Sequence, residues 1–188
     1  MDTPIPGDRP RPTRLVFVCH ANHCRSPMME LLLQAALDRR GDEAPPLLVS
    51  SAGTHARPGL AAHPYAVAVL AEHGVDASRW GATRLDVEGI ERADLVVTAA
   101  AAQRREVVAT VPEAAARTFT LLDLSAWLAA APADPGTGST DLLARAAAGR
   151  ARLGGHRERD LPDPMGRSLR HFRRCRRRVE AALVPFLD

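Results

Sequence analysis

The stretch "LVFVCHANHCRSPMMELLLQAALDRRG", residues 15–41, changes its hydrophobic period part-way along, and that change decides the fold. "LVFVC", residues 15–19, is a short apolar run rich in β-branched and aromatic side chains, the pattern of a strand covered on both faces in a parallel sheet. From Met28 the spacing becomes helical: Met28, Leu31, Leu32, Ala35 and Leu37 form a stripe, with Arg39, Arg40 and Gly41 as a stop. The residues between, Cys19 to Arg25, are therefore a loop that leads from a strand into a helix.

The same alternation continues down the chain. "PLLVSSAGT" (46–54), "ADLVVTA" (93–99) and "RTFTLLDL" (117–124) read as further strands. Helices are expected over 59–74, closed by Gly74, and over 100–111, ending before Pro112. A loop at 132–138, "PADPGTG", precedes an expected helix over 139–153 capped by Ser139 or Thr140. The last segment, 168–187, places Leu169, Phe172, Cys175, Val179 and Leu183 on one helical face. Strands separated by helices imply right-handed crossovers, hence a three-layer α/β domain with an open parallel sheet and helices on both faces. Ligands bind such sheets beyond the carboxyl ends of the strands, which is where Cys19 to Arg25 lies.

Composition agrees with one such domain. A chain of 188 residues with 46% hydrophobic and 25% charged residues suits a single core, built mostly from small and aliphatic side chains because aromatics make up 4%. All 25 basic residues are arginine, and the net charge of +3 is too small to signal nucleic-acid binding. The arginines of "RHFRRCRRR" read as the solvated face of an amphipathic helix. Three cysteines make no disulfide scaffold and suit a reducing cytoplasm. No apolar run is long enough to span a bilayer. Residues 1–13, rich in proline and charge, are expected to be a disordered tail ahead of a domain over 14–188.

A loop entering a helix N-terminus gathers backbone N–H groups and positive potential into an anion cradle. His20, Ala21, Asn22, His23 and Cys24 form the loop, and the planar guanidinium of Arg25 closes the ring by gripping two phosphate oxygens. Cys19, at the start of the loop, aims a sulfur anion into the same field. Such a group under a bound phosphate is a nucleophile for phosphorus, and the loop amides with Arg25 neutralise the equatorial oxygens. Ser26 is placed to donate its hydroxyl to the Cys19 sulfur, and Pro27 fits the first turn of the helix.

This string, a cysteine, five residues and then Arg-Ser near the N-terminus, resembles the signature of the low-molecular-weight protein tyrosine phosphatases. The resemblance implies a sheet in the order 2-1-3-4 and a second motif, Asp-Pro, just before the last helix. "LPDPMGRS" supplies it: Asp163 would be the general acid and then the base for hydrolysis of a phosphocysteine. Asn22 matches the family's loop asparagine, which tolerates left-handed geometry, while Ser51 in "SAGT" and His73 in "EHGV" match the residues that hold it. Between Cys19 and Cys24 the resemblance suggests a reversible disulfide; Cys175 reads as core. It implies neither cofactor nor metal, a phosphoprotein or small phosphomonoester as partner, no nucleic acid, no membrane, and a monomer or weak dimer.

Several positions depart from the family pattern. Ala21 stands where glycine is usual, and His23 where relatives carry an aliphatic or threonine residue. Met165 and Gly166 replace the aromatic residues that wall the pocket in eukaryotic members, so "DPMGRS" looks more like bacterial members, some of which act on phosphoarginine. An inserted helical segment around 125–158 serves as a lid, a partner surface or packing. The leading expectation is a phosphotyrosine phosphatase. A phosphoarginine or small-molecule phosphatase, an arsenate reductase and a non-catalytic phosphate-binding module are the alternatives.

Overall fold

The computed structural model describes residues 11–132, 141–157 and 159–188. Four parallel strands, β1 (Thr13–Cys19), β2 (Leu47–Gly53), β3 (Leu95–Thr98) and β4 (Thr118–Thr120), form one sheet in the order β2-β1-β3-β4. The central strand β1 is buried on both faces. Leu15, Phe17 and Cys19 enter the larger core with Met28, Leu33 and Phe172, whereas Val16 and Val18 enter a smaller one with Val96, Ile90 and Val107. Two-sided burial is why "LVFVC" reads as continuous rather than alternating apolar sequence.

Seven α-helices complete the described fold: α1 (Arg25–Arg40), α2 (Pro64–Ala71), α3 (Val87–Arg92), α4 (Ala101–Thr110), α5 (Leu121–Ala130), α6 (Leu142–Leu153) and α7 (Leu169–Leu183). Helix α1 begins at Arg25, earlier than its apolar stripe, and also buries Met29 and Leu33. Among the described residues no helix is long and apolar enough to cross a membrane.

Four expectations change. The strand read at 117–124 stops at Thr120, because the Thr120 hydroxyl accepts the Asp123 N–H and caps α5 from Leu121 onward. The helix read at 59–74 is shortened to α2, which starts at Pro64 behind the N-cap His63. Asp141 caps α6; Ser139 and Thr140 lie outside the described residues. Residues 11–13, read as tail, are held: Arg11 makes a two-pronged pair with Asp94, at 2.8 and 2.9 Å, and Thr13 opens β1. The rest of that tail, residues 1–10, lies outside the described residues.

Helix α6 packs closely on α5. A Cβ at Gly149 would meet the Trp127 carbonyl oxygen at 1.9 Å, so only glycine permits this approach of the two backbones. Leu142 and Ala146 join the larger core, and the buried Arg145 guanidinium donates to the carbonyls of Ala131, Leu128 and Pro185.

Candidate active site

The loop from Cys19 to Cys24 joins the carboxyl end of β1 to the first turn of α1, at the centre of the sheet. Cys24, at the N-cap position, provides no side-chain cap, so the first-turn N–H groups of α1 are left for a ligand. Cys19 is buried, and Ser26 Oγ lies 3.0 Å from its sulfur. Arg25 is also buried; its Nη2 reaches Asp163 Oδ2 at 2.5 Å, while Asp163 itself is half exposed.

The segment carrying Asp163 is anchored upstream. Leu161 is buried and its N–H donates to the Ala99 carbonyl at the end of β3. Asp160 Oδ1 accepts the Ala101 N–H and so caps α4, whose own N-cap residue, Ala100, has no side chain able to do so. Arg25 Nη1 adds a long bond of 3.4 Å to the Leu161 carbonyl. The carboxylate therefore enters the site on a segment tied to the sheet.

Asn22 organises the loop. It is fully buried, and it is the one non-glycine residue with positive φ, +49°, among those described. Left-handed geometry thus falls on Asn22, and Ala21 is spared the strain its replacement of glycine suggested. Asn22 Nδ2 donates to Ser26 Oγ and Ser51 Oγ, both at 2.8 Å, and its Oδ1 accepts the Thr83 N–H at 2.7 Å. The Thr83 N–H can only donate, which settles which end of the Asn22 amide is oxygen. Ser51 in turn donates to Glu30 Oε2 at 2.6 Å, and Trp80 Nε1 donates to the same oxygen at 3.0 Å. Because Ser26 accepts from Asn22, its own proton is free to point at the Cys19 sulfur; the Ala52 carbonyl, at 3.3 Å, is the longer alternative.

The family model "Low molecular weight phosphotyrosine protein phosphatase" matches residues 14–148. This chain belongs to that family. A probable low molecular weight protein-tyrosine-phosphatase, EpsP, of Ralstonia solanacearum is 40% identical over 107 residues, covering 57% of this chain and 69% of that one. A protein-arginine-phosphatase of Geobacillus stearothermophilus is 36% identical over 110 residues, covering 58% and 70%. In structure, the low molecular weight protein tyrosine phosphatase from T. tengcongensis superposes with a TM-score of 0.69 at 28% identity, over 92% of this chain and 96% of the other.

As a low molecular weight phosphatase, the chain is a cysteine-dependent phosphatase. The family match ends before Asp163, so that residue stands on its geometry against Arg25.

Other members of the constellation sort out as follows. Cys19, His20, Ala21, His23, Cys24, Arg25, Asp163 and Met165 line one small cavity. His23 turns its Nδ1 to the Ala61 carbonyl at 2.8 Å and packs edge-on against His63, which stacks on Phe172. Met165 is half exposed at the rim. Ser51 reaches Asn22, but His73 does not: its ring lies at the surface, Nδ1 3.7 Å from Glu180 Oε1, and the three polar bonds of Asn22 go to Ser26, Ser51 and Thr83. Residue identity near a helix end could not reveal that α7 would draw His73 away.

Glu30, Trp80 and Thr83 escaped sequence reading. Glu30 lies in an ordinary helical position and Thr83 acts through its main chain, so neither carries a local signal. All three cysteines are free thiols, and Cys24 and Cys175 are buried. Burial, followed by the nearby Asp163 and Cys19, pushes the Cys24 thiol up to about 12; burial does the same to Cys175, also to about 12.

Proposed function

We propose that this phosphatase hydrolyses phosphomonoesters on proteins, phosphotyrosine foremost, with Cys19 as nucleophile, Arg25 and the loop as phosphate clamp, and Asp163 as proton carrier. One observation supports this most: the Asp163 carboxylate, brought in from the far end of the chain, sits 2.5 Å from the guanidinium that closes the phosphate loop.

The steps follow from the geometry. A phosphate entering the loop takes up the first-turn N–H groups of α1 and the Arg25 guanidinium, displacing Asp163, whose freed carboxylate takes a proton from solvent. The Cys19 sulfur anion attacks phosphorus in line; the bond from phosphorus to the leaving oxygen breaks, and Asp163 protonates that oxygen. Asp163, now a carboxylate, takes a proton from water as the water attacks the phosphocysteine. The phosphorus–sulfur bond breaks, phosphate leaves, and the Ser26 hydroxyl stabilises the returning sulfur anion. A reducing cytoplasm suits this cycle, since Cys19 must stay a free thiol.

Phosphoarginine is the second reading. Similarity to the Geobacillus stearothermophilus protein-arginine-phosphatase favours it, and so does the aliphatic Met165 where an aromatic wall would hold a tyrosyl ring. A panel of phosphotyrosyl peptide, phosphoarginyl peptide and small sugar and nucleotide phosphates, run beside Cys19→Ser, tests both. The leading reading expects the highest kcat/KM on the phosphotyrosyl peptide; a higher value on phosphoarginine would replace it.

A further inference from the structure

Beside the catalytic constellation, the side chains of His20, His55 and Glu106 each bring a ligand atom to one place, all within 4.8 Å of one another. We propose that these three residues bind a borderline divalent transition-metal ion, Zn2+ being the representative case, at the rim of the phosphate loop.

Three segments supply them. His20 follows Cys19 in the loop, His55 lies just beyond β2, and Glu106 is on α4. Two main-chain bonds tie the first two segments together: Thr54 N–H to the Cys19 carbonyl at 3.0 Å, and His55 N–H to the His20 carbonyl at 2.8 Å. The rings are consequently held side by side, stacked with centroids 4.5 Å apart and planes 27° from parallel. Glu106 Oε2, 3.5 Å from His55 Nδ1, adds the anionic donor, and Thr54 Oγ1 lies 3.0 Å from the same nitrogen.

Two imidazoles and one carboxylate are a zinc donor set with a fourth position left for water, whereas Mg2+ and Ca2+ prefer oxygen ligands throughout. Bonds of about 2.0–2.2 Å to a tetrahedral ion place the ligand atoms about 3.3–3.6 Å apart. Both histidines are exposed, so small side-chain rotations close the remaining gap without disturbing packed core. An ion seated here bridges the residue next to Cys19 to α4.

Cys19 sulfur is itself a zinc ligand, so the test uses the full chain carrying Cys19→Ser. Calorimetric titration with Zn2+ should find one saturable site per chain, weakened at least about tenfold by adding His55→Ala and likewise by adding Glu106→Gln. Unchanged affinity in either double variant, which would place the ion at another group, overturns the proposal. So does the lack of a saturable site in the parent. To exclude misfolding, Glu106→Gln with Cys19 intact should keep its aryl-phosphatase activity and melting temperature. If it loses both, Glu106→Asp decides, since the shorter carboxylate should keep zinc binding; its failure to do so in folded protein counts against the site.

Discussion

Arg25 Nη2 and Asp163 Oδ2 meet at 2.5 Å although 138 positions separate them in the chain. On the proposed function, the pair joins the phosphate clamp to the proton carrier. Asp163→Asn keeps the shape and removes the proton. It should lower kcat/KM, which reports the transfer to Cys19, by about 10²–10⁴-fold on an alkyl or tyrosyl phosphate and far less on an aryl phosphate with a good leaving group. Equal losses on both would remove Asp163 from its acid role.

Replacing the proposed nucleophile separates chemistry from folding. Cys19→Ser should reduce hydrolysis of any phosphomonoester by at least about 10³-fold while the melting temperature stays near that of the parent. Acid quench of the parent with a labelled aryl phosphate should trap the phosphocysteine, and the variant should trap none.

Asn22 tests whether donor direction matters. Asn22→Asp preserves size, yet a carboxylate only accepts, so it draws the Ser26 and Ser51 protons to itself and away from Cys19 and Glu30. Folded Asn22→Asp should show a reduced kcat, with breakdown of the phosphocysteine slowed most. Asn22→Ala leaves the Thr83 N–H and two hydroxyls without their partner and should cost about 1–3 kcal/mol of stability by urea denaturation.

At the α5–α6 contact, Gly149→Ala drives a Cβ into the Trp127 carbonyl. The helices must separate, at a cost of about 1–3 kcal/mol read from the denaturation midpoint. Protein that remains folded should keep its kcat, because α6 packs on the core away from Cys19 and Arg25.

Two of the three buried thiols make stability fall at high pH. Folding raises Cys24 and Cys175 from an ordinary 9.0 to about 12, so between these limits the folded state holds protons that the unfolded state has lost. Their contribution is fully present below pH 9 and is lost as pH rises toward 12. Cys175→Ala should flatten the decline in the denaturation midpoint above pH 9. At neutral pH, iodoacetamide should reach Cys24 and Cys175 only after unfolding.

The amino-acid sequence by itself determined the α/β class, the place of the strand-to-helix loop and its candidate site residues Cys19, Arg25 and Ser26. These are local matters: a period that switches from continuous to helical, and a candidate nucleophile and clamp six positions apart on one strand–loop–helix unit. Where short-range chemistry competed, as at Thr120, whose hydroxyl turns the end of an apolar run into a helix cap, the pattern misled. The tertiary structure alone decided which distant groups complete the site. Glu30, Trp80 and Thr83 brace Asn22 and Ser51, Asp160 and Leu161 pin the Asp163 segment to β3 and α4, and His73 turns to Glu180 on α7. Such partnerships depend on directional bonds a few ångströms long between elements far apart in the chain, and no periodicity along one element encodes them.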